Sequence, residues 1–176
     1  MPSLEPILEK LHRAQHKLLR AADAIPADRW KTCPRQGVWS AAELIAHIIT
    51  VERAVARAAD RILKKPPKHI PVWKRFRLSF ALAEIRLIRL KTPIPMDSQL
   101  VREKNAMLAE LREVRERTLA FMEETRNRDL SSYRWRPPFL GSLNAYQWFS
   151  LLGSHQIRHE KQMREIAATL PKPISP

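Results

Sequence analysis

The chain has 176 residues, with 32 lysines and arginines against 18 acids and a formal charge of +14. That length suits one domain around one core, and the single cysteine, Cys33, excludes an intrachain disulfide. With only three glycines, Gly37, Gly141 and Gly153, a fold built on a glycine-rich phosphate loop is not expected.

The N-terminus, MPSLEPILEKLHRAQ, lacks the charged segment and apolar run of a secretory signal. No stretch approaches the roughly 20 apolar residues of a membrane span, so a soluble cytoplasmic protein is expected. Abundant alanine, leucine, arginine and glutamate favour helix. No strand-like alternation persists, which predicts an all-α fold. The basic balance attracts phosphates, nucleic acid or anionic lipid. No nucleic-acid motif accompanies it, so a nucleic-acid partner is not favoured over a solvated basic surface.

The first predicted helix runs from about Leu4 to Ala24. At about 100° per residue, Leu4, Ile7, Leu8, Leu11, Leu18 and Ala22 gather on one face. Gln15 falls inside that stripe, where a polar group is costly unless paired. Pro26 stops the helix, and the loop to Trp39 carries two tryptophans expected to cap one end of a bundle. Ser40 and Glu43 then form a capping box, with Trp39 and Leu44 as a hydrophobic staple. The second helix extends to about Leu63, before Pro66-Pro67.

The stretch from Lys64 to Met96 is too long for an ordinary loop. It contains a proline-bounded helical piece, Val72 to Lys91, apolar on two faces and rich in basic residues. Three roles stay open for it: a crossover helix packed on the bundle, a homodimer contact, or a binder of anionic surfaces. A third helix is expected from near Asp97 or Ser98 to near Thr125, and a fourth from near Ser142 to about Leu170. These read as a four-helix bundle, residues 1–170, with a long crossover between helices two and three. Residues 171–176 are expected to be a frayed tail.

The histidines separate by position. His155 and His159 lie on the apolar face of the fourth helix with Trp148, Leu152, Met163 and Ile166. Four residues apart, their rings stack one turn above the other, and Gln162 falls on the same side. Imidazoles directed into a core need partners for a donor and an acceptor each. A metal supplies one partner and neighbouring polar groups the other. His47, flanking the apolar face of the second helix beside Ala54 and Ala58, is the best third ligand. Glu43, one turn earlier, is either the capping acceptor or a general base. His12 and His16 form a rival pair, but fall at the boundary and polar side of the first helix and read as surface residues. His69 lies between prolines in the linker. Cys33 is a soft-ligand candidate, but it sits in a loop.

Trp39-Ser40-Ala41-Ala42-Glu43 followed by His47, and His155-Gln-Ile-Arg-His159-Glu-Lys-Gln162, together resemble the DinB/YfiT-like superfamily of metal-dependent enzymes. Ile25 to Trp30 is similar to that family's first loop. The resemblance implies an up-down-down-up bundle and a metal, often zinc or nickel, held at the positions of His47, His155 and His159. It also implies hydrolysis, or transfer of a low-molecular-weight thiol to a small-molecule substrate. Three imidazoles leave a coordination position open, the pattern of a catalytic metal. Arg158 is a candidate for orienting an anionic substrate. Gln15 and Gln162 are candidates for supporting ligands or substrate.

Overall fold

The computed structural model describes residues 3–67, 98–136 and 142–170. Within them the chain forms α1 (Glu5–Asp23), α2 (Ala41–Leu63), α3 (Lys104–Glu124) and α4 (Ala145–Thr169). Two short strands, β1 (Arg134–Trp135) and β2 (Leu143–Asn144), pair antiparallel, Arg134 opposite Asn144 and Trp135 opposite Leu143. The predicted helical piece 72–91, His69 and the tail 171–176 lie outside the described residues. Among the described residues, no helix is long and apolar enough to cross a membrane.

Two of the helix starts follow directly from local chemistry. At α2 the Ser40 hydroxyl accepts from the Glu43 amide and the Glu43 carboxylate accepts from the Ser40 amide, satisfying two backbone donors that a helix start leaves orphaned. The same reciprocal box, made by Asn144 and Gln147, starts α4. That moves the start past the expected Ser142, because residues 143 and 144 are taken by β2. The third helix also begins later than expected. Residues 98–100 make a separate 3-10 turn, and α3 proper starts at Lys104. One local and one tertiary contact hold this junction: the Arg102 amide donates to Met107 Sδ five residues on, and Lys104 Nζ donates to the distant Ile25 carbonyl at 2.7 Å.

The core divides into two apolar clusters, and their membership fixes the helix directions. One gathers the C-terminal half of α1, the N-terminal halves of α2 and α3, and the C-terminal end of α4. The other gathers the opposite ends of all four. Hence α1 and α4 run one way and α2 and α3 the other, which is the up-down-down-up course. A long crossover between α2 and α3 is its geometric necessity, because two parallel neighbours cannot be joined by a short turn. α1 packs along α4, α2 along α3, and α2 also meets α4. At the α1–α4 seam the Lys10 stem lies over Gly153, where a Cβ would stand 2.9 Å from Lys10 Cγ.

Between the clusters lies a polar tie. Arg115 of α3 is fully buried and holds Glu52 of α2 in a two-point bond of 2.6 and 2.8 Å. Its third nitrogen donates to the Leu11 carbonyl of α1 at 2.9 Å. Three helices are thereby pinned at one level. The loop before α2 closes one end: Trp30 is fully buried, with its indole nitrogen 3.4 Å from Met107 Sδ.

Candidate metal centre

His47 stands on the second turn of α2, where the capping box fixes the start of the helix and so the direction of the ring. His155 and His159 stand on consecutive turns of α4, which crosses α2 in the opposite sense. The three rings meet at the seam. His155 Nε2 lies 3.1 Å from His47 Nε2 and 3.0 Å from His159 Nε2. One nitrogen from each ring fits within a mutual distance of 4.8 Å. Nitrogens bound about 2.0–2.1 Å from a tetrahedral zinc ion stand roughly 3.3–3.4 Å apart. The two spacings to His155 therefore need only a small outward adjustment.

The hydrogen bonding of the rings also fits a cation. His159 Nδ1 lies 3.1 Å from Gln162 Oε1. An amide oxygen only accepts, so Nδ1 carries the proton and Nε2 presents its lone pair to the cluster. His47 Nδ1 is buried and makes no hydrogen bond. Its ring is walled by Trp39, whose centroid lies 5.1 Å away at a tilt of 50°. His47 and His159 are buried and His155 is partly exposed.

Burial favours the neutral form of the His47 and His155 rings. Burial lowers the pKa of His47 from its ordinary 6.5 to about 4. Burial likewise holds His155 well below the usual value, aided by the positive charge that His159, His47 and Arg158 would place beside it. A neutral imidazole is the form that binds metal, so no proton has to be displaced at neutral pH.

The other predicted residues are distributed around this centre. Gln162 reaches His159 directly. Arg158 is close enough to His155 for its charge to be felt. Glu43 serves the cap through one oxygen: its Oε2 accepts from the Ser40 amide at 2.7 Å, the Ser40 hydroxyl at 2.9 Å and the Cys33 thiol at 3.6 Å. Cys33 is exposed. Its thiol is held above the ordinary pKa by desolvation and by the Glu43 charge, which keeps it protonated and a poor ligand. Gln15 turns elsewhere, with its amide nitrogen 3.5 Å from the Leu111 carbonyl of α3. Trp39, read from the sequence as a cap of the bundle end, a staple and the first residue of the motif ending at His47, is also the wall of the His47 ring. Its place beside a histidine eight positions later, two turns along the helix, was the available signal.

The bundle and its three-histidine cluster define a class: a helical protein with a centre that can hold a divalent metal ion. The sequence profile of the DinB superfamily matches residues 10–163, and the chain belongs to that superfamily. It is also similar to the uncharacterized protein YuaE of Bacillus subtilis (strain 168), with 26% identity over 134 residues, covering 76% of this chain and 80% of that protein. Among solved structures, none matches.

Proposed function

We propose that the protein is a metal-dependent enzyme whose His47, His155 and His159 hold one divalent ion, zinc or nickel. The observation that carries this reading is the convergence of three imidazole nitrogens on one point of the α2–α4 seam. A divalent ion held there supplies Lewis acidity at the position that three imidazoles leave open, lowering the pKa of a water or small thiol. The reaction class is hydrolysis or thiol transfer on a small-molecule substrate.

The chain's own residues have separate parts in this scheme. Gln162 holds His159 in the tautomer that presents Nε2. Trp39 screens the His47 ring from water, which strengthens every charge interaction beside it. Arg158 offers a guanidinium next to the open side of His155, suited to orienting an anionic substrate or thiolate. Glu43 is the candidate base, taking a proton at Oε1, the oxygen outside the capping box.

The test is bound metal measured by elemental mass spectrometry on tag-free protein, alongside His47→Ala and His155→Ala. About one ion per chain in the wild type, lost from both variants, is expected. No ion after reconstitution with zinc and nickel would overturn the reading. Retained metal without turnover across hydrolase and thiol-transfer screens would reduce the centre to a structural one.

A further inference from the structure

We infer that His12 and His16 form a second cation site, a two-imidazole chelate for Cu²⁺, Ni²⁺ or Zn²⁺ on the outer face of α1. The helix is continuous from Glu5 to Asp23. Residues four apart therefore rise about 6 Å and share a face, with Cβ atoms about 5–6 Å apart. That separation lets both rings swing onto one ion. Both histidines are exposed, whereas Leu11, Ala14 and Leu18, which interleave with them, are buried. The pair therefore points away from the core and from the triad, whose members lie on α2 and α4.

Among the described residues, neither ring makes a hydrogen bond, an ion pair or a ring contact, so none of those residues competes with a cation for either imidazole. Arg13 and Lys17 flank the pair and repel a cation, so the site is weaker than one built from three converging imidazoles. Imidazole pairs select borderline cations, with Cu²⁺ bound most tightly. Calcium and magnesium, which require oxygen ligands, are excluded.

The experiment is a titration of the metal-free, full-length chain with Zn²⁺ and with Cu²⁺, read by calorimetry and by metal content after gel filtration. The expected result is two equivalents, the second about tenfold or more weaker than the first. His12→Ala and His16→Ala each lose the weak equivalent and keep the tight one. His47→Ala does the reverse, so failure of this site and failure of the triad are read separately. Both α1 histidines are exposed, and unchanged far-ultraviolet circular dichroism would verify that the variants fold. A single equivalent at saturation, or a second that survives in both α1 variants, overturns the inference.

Discussion

At the scale of single residues, the centre depends on groups that never touch a metal. Gln162 fixes the proton of His159 on Nδ1, and removing such a support lowers metal affinity by about 10–100-fold. Gln162→Leu is therefore expected to retain the fold and bind zinc about 10–100-fold more weakly in a competition assay with a chelator dye. Affinity equal to the wild type would show that His159 keeps its tautomer by other means. The depressed pKa of His47 carries a second expectation. Between about 4 and 6.5 the unfolded chain binds this proton and the folded, metal-free chain does not. Stability then rises with pH across that window and is lost as pH falls from 6.5 toward 4. His155 contributes in the same direction. Melting temperatures of metal-free protein from pH 7 to pH 4.5 are expected to fall less steeply in His47→Gln, which has no proton to gain.

At the scale of elements, some boundaries are written locally and others are not. The α2 start is legible because Ser40, Glu43 and the Trp39–Leu44 staple are all within a few residues. The Asn144–Gln147 box at α4 is of the same kind, yet Pro137-Pro138 drew the expected start to Ser142, and a two-residue strand is too short to show alternation. The late start of α3 rests in part on carbonyls at the end of α1 that Lys104 reaches, partners that no window of local sequence contains. The Glu52–Arg115 tie was hidden for the same reason, since each residue alone reads as a charge beside an apolar stripe. Removing one member leaves the other charged and unpaired in the core, at a cost of roughly 3–5 kcal/mol. Arg115→Met is expected to lose about that much in urea unfolding, and the double variant Glu52→Leu/Arg115→Met to recover a large part of it. A double variant no more stable than the single would assign the loss to packing rather than charge.

At the scale of the whole molecule, the histidine triad was legible because helical periodicity alone puts His155 and His159 on the core face of α4 and His47 beside the core face of α2. The mutual approach of α2 and α4 was not legible from periodicity, since it depends on the direction in which each helix runs. The up-down-down-up course settles it by setting these two helices side by side and antiparallel. Gln15 shows the limit of the same reasoning. A face assignment placed it in the apolar stripe of α1, but it did not say which of the neighbouring helices that part of the stripe meets, and α3 takes it.

His47 and His155 are 108 positions apart in the chain, and this separation bears on how the protein is made. During synthesis α2 emerges long before α4, so His47 waits as a lone, nearly ligand-free ring while most of the chain is still to come. Only when α4 has been made and has docked on α2 can all three nitrogens meet. A cation held at the triad would therefore reward that docked arrangement and no earlier stage. Long-range closure of this kind is slow. Metal added before refolding therefore acts on the final docking step, not on the formation of individual helices.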